Sequence, residues 1–157
     1  MPISSLPSPY GIGTFGKAAY RFADFLHEAG QKYWQLLPLG PTSYGDSPYQ
    51  AFSTFAGNPY FIDLDTLIAD DLLTQTEVDA CAWGTEPRYV DYGKIYESRF
   101  ALLEKAKARG WSRDREAVAA FEAENARWLP DYALFMALKR HFGMKSWTEW
   151  EDEDIRL

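Results

Sequence analysis

The fold turns on the stretch Tyr33-Trp34-Gln35-Leu36-Leu37-Pro38-Leu39-Gly40. Tyr33 to Leu37 form a short, largely apolar run that Pro38 and Gly40 stop. Such a run predicts a buried strand of the kind found in a parallel sheet covered on both faces. Upstream, a helix is expected from about Phe15, with Thr14 as N-cap. Phe22, Phe25, Leu26 and Ala29 then share one apolar face, and Gly30 sits where a left-handed residue would end the helix. A helix running into a buried strand is half of an α/β repeat.

Downstream, residues 40–62 read as loop, punctuated by Gly40, Pro41, Gly45, Pro48, Gly57 and Pro59, with only Phe61-Ile62 extended. A structureless connection of about twenty residues is uncommon in a compact domain and is usually functional or disordered. Tyr44, Tyr49, Phe52, Phe55 and Tyr60 argue against disorder. They leave two readings open: rings packed on their own loop, or a binding loop.

Past Asp63 the pattern turns helical. Thr74 and Glu77 form a capping box ahead of a short helix. Asp91 can cap a longer one, with Ile95, Leu102, Leu103 and Ala106 inward and Gly110 at its end. A third helix is expected over residues 113–126. A fourth follows Pro130, a residue suited to N1, with Leu134, Phe135, Leu138 and Phe142 inward and Gly143 as its stop. The acidic tail, Glu149 to Asp154, reads as a solvated face.

Composition narrows the function classes. The 157 residues carry 16 Lys and Arg against 23 Asp and Glu, a net charge of −7. That balance argues against nucleic-acid binding, which draws its affinity from basic side chains on phosphates. The densest basic stretch, Arg109 to Arg115, is broken by Trp111 and Asp114. The longest uncharged apolar stretch, Tyr132 to Leu138, falls far short of the roughly 20 residues that span a bilayer. The first residues lack the basic and apolar regions of a signal peptide. A lone cysteine, Cys81, has no internal disulfide partner, which suggests a cytoplasmic setting. Aromatic residues make up 17% of the chain, enough for a core, a surface that holds something flat, or both.

Several motifs fail on their context. Gly11-Ile12-Gly13-Thr14-Phe15-Gly16 spells a dinucleotide-binding fingerprint. However, Pro7 and Pro9 before it do not suit a central parallel strand, and no acidic residue ends the next strand. Gly40 to Gly45 lacks the Lys-Ser/Thr of a phosphate loop. With only His27, His141 and Cys81 there is no metal-ligand cluster. Ser47 has no nucleophile elbow around it, and Cys81 reads as a small apolar residue.

What remains is Tyr44-Gly45-Asp46-Ser47-Pro48-Tyr49-Gln50, directly after the expected strand. Loops in that position build the active face of α/β barrels. Aromatic faces cover the C–H faces of a sugar ring, while carboxylate, hydroxyl and amide groups take its hydroxyls. No basic residue is present to match a charged ligand, so a neutral sugar fits best.

Four segments carry a family resemblance: residues 4–13, residues 33–42, the loop 44–50 and Phe55-Ala56-Gly57-Asn58-Pro59-Tyr60. They resemble the amino-terminal signature of the 4-alpha-glucanotransferases, the amylomaltases or disproportionating enzymes of glycoside hydrolase family 77. Val90-Asp91-Tyr92 and residues 131–139 resemble the family as well.

The resemblance implies an α/β fold: an incomplete (β/α)8 TIM barrel whose first units occupy residues 1–64, with a helical insertion subdomain over 65–157. It implies transfer of α-1,4-glucan segments between maltooligosaccharides, or to glucose, by a retaining double displacement, with no metal and no cofactor. It places Tyr49 and Ser47 at the substrate cleft with Asp46 shaping the loop, and it assigns Tyr44 and Tyr96 to a second glucan-binding groove.

A closed barrel takes about 250 residues, so the chain is expected to be an amino-terminal piece. Its first strand is expected to be clipped and the catalytic carboxylates to lie beyond residue 157, which leaves Asp24, Asp46 and Asp63 outside catalysis. The alternative is a stand-alone glucan-binding or structural module.

Overall fold

The structure, a computed structural model, describes residues 1–43, 45–86 and 88–151. These divide into two compact units, Met1–Arg113 and Asp114–Leu157. That boundary differs from the 64/65 division expected from sequence, because the helices that follow Asp63 pack onto the glycine-rich amino-terminal segment.

In the first unit, α1 spans Lys17–Glu28, α2 Leu64–Ala69, α3 Gln75–Asp79 and α4 Tyr92–Gly110. Three apolar clusters hold it together. Tyr10, Leu64, Leu73, Val78, Leu102 and Ala106 join α2, α3 and α4. Ile3, Leu6 and Ala19 anchor α1, with Phe22, Trp34 and Leu36 against them. Ile12, Tyr60 and Ile95 form the third.

The α3 cap is the capping box read from sequence. Thr74 N–H donates to Glu77 Oε2 at 3.0 Å, and Glu77 N–H donates to Thr74 Oγ1 at 3.3 Å. Arg109 on α4 grips the same carboxylate with two N–H groups at 2.7 and 2.8 Å. This guanidinium, followed by the Thr74 N–H, holds the Glu77 carboxyl well below its ordinary range. Asp91 caps α4 as expected, accepting from Lys94 N–H at 3.2 Å.

The buried stripe of α4 is Ile95, Arg99, Leu102, Ala106 and Gly110. Its second member is a charge, which the hydrophobic pattern could not signal. Arg99 is fully buried, and one of its N–H groups donates to the Ile62 carbonyl. Its Nε and Nη1 have no hydrogen-bond partner among the described residues. Burial pulls the guanidinium down to about 10, against the opposing pull of Asp63.

Several sequence expectations are corrected. Thr14 is not the N-cap of α1; Gly16 is, and the helix starts at Lys17. Thr14 is instead buried and donates to Asp63 Oδ2 at 2.6 Å. The inward face of α1 is Ala18, Ala19, Phe22 and Leu26, while Phe25 and Ala29 point out. Of Phe61-Ile62 only Ile62 is extended, with φ −65° and ψ 127°; Phe61 belongs to the 3-10 turn Pro59–Phe61, which the Asn58 side chain caps. The fingerprint glycines serve internal packing. A Cβ on Gly13 would overlap the Ile3 carbonyl, and one on Gly16 would overlap the Asp63 carboxylate. Where a nucleotide fold would present open backbone to a phosphate, this segment is closed against its own chain.

The largest departure concerns residues 31–39, which carry no strand, and no ladder exists among the described residues. Nor is the run covered on both faces as expected; its side chains alternate. Trp34 and Leu36 are half-buried against the α1 cluster, whereas Tyr33, Gln35 and Leu37 are exposed. A strand is defined by its neighbour's hydrogen bonds, and no described residue supplies them to this run. One face is covered, not two.

In the second unit, α5 spans Arg115–Glu124 and α6 Leu129–His141. Pro130 falls one position later than expected, because α6 begins at Leu129. Leu134 points outward, 60% exposed, and the buried position is Lys139. Lys139 Nζ donates to the Met144 and Lys145 carbonyls at 3.0 and 2.9 Å, closing the turn after the helix. Phe142 stacks on Trp150, ring centroids 5.2 Å apart. Trp150 is buried within the stretch read as solvated, and residues 152–154 of that stretch lie outside the described residues.

Candidate functional site

The loop after residue 40 is closed at its base. Thr42 and Ala51 form an antiparallel bridge. Ser43 N–H donates to the Gln50 carbonyl at 3.1 Å, and Phe52 N–H to the Pro41 carbonyl at 3.4 Å. Two turns then shape the interior. Asp46 N–H donates to the Ser43 carbonyl at 3.1 Å, and Gln50 N–H to the Ser47 carbonyl at 3.1 Å. The Ser47 hydroxyl accepts from Tyr49 N–H at 3.3 Å. Asp46 takes a positive φ of 58°, which Asp tolerates better than most residues. The described residues of the long loop therefore form a hairpin-like excursion.

Beneath it lies a cavity of about 230 Å³. Ile3, Ile12, Leu37, Leu39 and Phe61 supply apolar wall, and Ser4, Thr42, Asp46, Asn58 and Tyr92 supply polar groups. Burial pushes the Asp46 carboxyl up. Its charge in turn adds to burial in raising the Tyr60 and Tyr92 hydroxyls, Tyr60 to about 12. The carboxylate thus sits in the electrostatic reach of both rings.

The structure brings Asp46, Ser47 and Tyr49 together on one loop. The Tyr49 ring is 73% exposed, so it is not spent on the loop's own packing. Tyr96 stands elsewhere, on α4, half-exposed and edge-on to Phe100 with centroids 5.1 Å apart. Tyr44 lies outside the described residues. Sequence reasoning missed Tyr92 and Asn58 as cavity residues. Both stood inside motifs already singled out, but nothing local showed that the motifs converge.

Asp63 is fully engaged in structure. It caps α2 through Thr66 N–H at 2.9 Å and also accepts from the Thr14 hydroxyl. Among the described residues no group of His, Cys, Asp or Glu is placed to hold a metal ion. No helix among them is long and apolar enough to cross a membrane.

The family model described as 4-alpha-glucanotransferase matches residues 1–157. The chain belongs to the 4-alpha-glucanotransferase family. A 4-alpha-glucanotransferase of Clostridium butyricum is 54% identical over 157 residues, covering 100% of this chain and 32% of that protein. One from Thermus thermophilus is 50% identical over 151 residues, covering 94% and 29%. The amylomaltase from Streptococcus agalactiae, solved in complex with acarbose, superposes with a TM-score of 0.92 at 45% identity. That match takes in 97% of this chain and 31% of the amylomaltase. The chain thus spans about a third of the length of the 4-alpha-glucanotransferases it matches.

Proposed function

We propose that this chain supplies the substrate-binding part of a cytoplasmic 4-alpha-glucanotransferase, one that moves α-1,4-glucan segments between maltooligosaccharides or to glucose. In this reading residues 1–64 are the first units of a (β/α)8 barrel, and residues 65–157 form a helical insertion subdomain. The observation that carries it is the pinned 42–51 loop, which leaves the Tyr49 ring free beside Asp46 and Ser47. The loop's turns fix the backbone that carries Tyr49, so less of the chain has to be ordered when a ligand binds.

Tyr49 would cover the apolar face of a glucose unit and Ser47 would accept or donate to its hydroxyls. Asp46 would hold the turn between them. Tyr44 and Tyr96 would contact a longer glucan away from the reacting bond. The retaining chemistry needs one carboxylate as nucleophile and another as acid and base, and a sugar hydroxyl takes the place of water in the second step. Asp63 is excluded from those roles by its structural bonds.

The test is a chimera in which residues 1–157 replace the matched third of the Clostridium butyricum enzyme. Glucose release from maltotriose is expected from the chimera. An inactive but folded chimera would overturn the assignment, and so would glucose release by the purified 157-residue chain alone.

A further inference from the structure

Position 99 sits in the apolar stripe of α4. Ile95 lies one turn before it, Leu102 and Ala106 follow on the next two turns, and all three are buried. Leucine or methionine there would bury apolar surface at no electrostatic cost. The residue is instead Arg99, fully buried and still charged at neutral pH, since burial pulls it down only to about 10. Its Nε and Nη1 find no hydrogen-bond partner among the described residues. Replacing such a charge with a well-packed apolar side chain is often neutral or stabilising. Stability is therefore a poor reason for an arginine at this position.

The one directional contact indicates a better reason. Asp63 attracts the guanidinium, but its oxygens are taken: Oδ1 accepts from Thr66 N–H and Oδ2 from the Thr14 hydroxyl. Arg99 donates instead to the Ile62 carbonyl. Ile62 ends the turn that begins at Asn58, and that turn is a crossing point of the chain. Asn58 N–H donates to the Leu39 carbonyl at 2.9 Å, and Phe15 N–H to the Phe61 carbonyl at 3.0 Å. Asn58 and Phe61 line the cavity beneath the 42–51 loop, and so does Tyr92, two helical turns before Arg99 on α4. Tyr60 spans turn and helix, its ring 6.0 Å from that of Tyr92 and 5.7 Å from that of Phe100. Ring packing is non-directional and tolerates sliding of the turn along α4, whereas a hydrogen bond fixes its register.

We propose that Arg99 is a positioning residue: its hydrogen bond to Ile62 sets the register of the 58–62 turn on α4. It thereby sets the shape of the cavity that the turn and Tyr92 line together beneath the loop. This inference rests on the reading of that loop as the glucan site.

The test compares Arg99→Met, which keeps a long side chain and removes every donor, with Arg99→Lys, which keeps the charge and one donating group. In the 157-residue chain, Arg99→Met should melt at or above the parent temperature. Amide exchange at Phe15, Asn58 and Ile62 should nevertheless run at least tenfold faster, while Leu102 and Ala106 exchange as in the parent. Arg99→Lys should melt lower, because an ammonium is more strongly hydrated than a guanidinium. Its three amides should stay within about threefold of the parent. In the active chimera, Arg99→Met should lower kcat/KM on maltotriose at least tenfold, and Arg99→Lys should recover most of that loss. Methionine would then rank first in stability and last in activity, an order that a merely structural role does not produce.

Activity that follows melting temperature would overturn the proposal. So would loss of the fold in both variants, exchange at the three amides that moves only together with Leu102 and Ala106, or an active chimera indifferent to Arg99→Met. The exchange measurement needs no activity. An inactive parent chimera would sink the glucan reading alone, and exchange would still decide whether Arg99 sets the turn.

Discussion

Helices α2 to α4 and the run 31–39 are both rich in apolar residues, yet only the helices close on themselves. Leu64, Val78, Ile95 and Leu102 are at most 2% exposed, while Leu37 and Leu39 stand open. The difference lies in where each element finds its backbone partners. A helix satisfies its interior N–H and C=O groups from within, and nearby caps such as Thr74 and Asp91 serve its ends, so a few helices and a shared core suffice. A strand satisfies none and depends on a neighbour. The same hydrophobicity therefore gives a finished core in one region and an unfinished surface in the other.

The largest effect should come from the closed region. Leu102→Ala is expected to destabilise the first unit by about 2–5 kcal/mol in denaturant unfolding, the usual range for a buried leucine lost to a cavity. Leu37→Ala should stay within about 0.5 kcal/mol, as at an ordinary surface position. Equal losses would erase the contrast between the two regions.

Gly13→Ala tests the amino-terminal turn that supports both regions. The new methyl would meet the Ile3 carbonyl and lie 2.8 Å from Leu6 N, so backbone must move. A cost of about 1–3 kcal/mol is expected from overpacking. A neutral outcome in thermal melts would show that the segment has slack.

Next in size is the pinned loop. In the active chimera, Tyr49→Ala should lower kcat/KM more than tenfold, a loss of over about 1.4 kcal/mol. An unchanged value would return the ring to a packing role. Tyr96→Ala should weaken binding of long glucans while turnover of maltotriose is largely kept; equal losses on both would refute a separate groove.

The smallest effect concerns the exposed Glu77–Arg109 pair. A carboxyl held below its ordinary 4.5 stabilises the fold fully above that value and loses its contribution as pH falls toward the folded value. Thermal stability should therefore decline on acidification below about pH 5, and Glu77→Gln should make that decline shallower. Other lowered carboxyls, such as Asp91, will keep some slope.

Legibility in the sequence follows the same division. The caps at Thr74 and Asp91 and the ends at Gly30 and Gly143 were readable, because each is settled within a few residues. The orientation of α1 and α6 was not, since Phe25 and Leu134 are apolar yet face outward, a choice made by distant packing. Arg99 was hidden for the opposite reason: a charge in a buried stripe has no local signature. At the site, Asp46, Ser47 and Tyr49 were visible as chemistry on one loop. Tyr92 and Asn58 join the cavity only through the chain's long-range fold.

The bridge between Thr42 and Ala51 has one more consequence. Because the two ends of the excursion are tied side by side, everything between them can change in length or composition without tugging on what flanks it. The loop is in effect a cassette. Asp46 and Pro48, which line the cavity, are the positions where such a change would be felt outside the cassette.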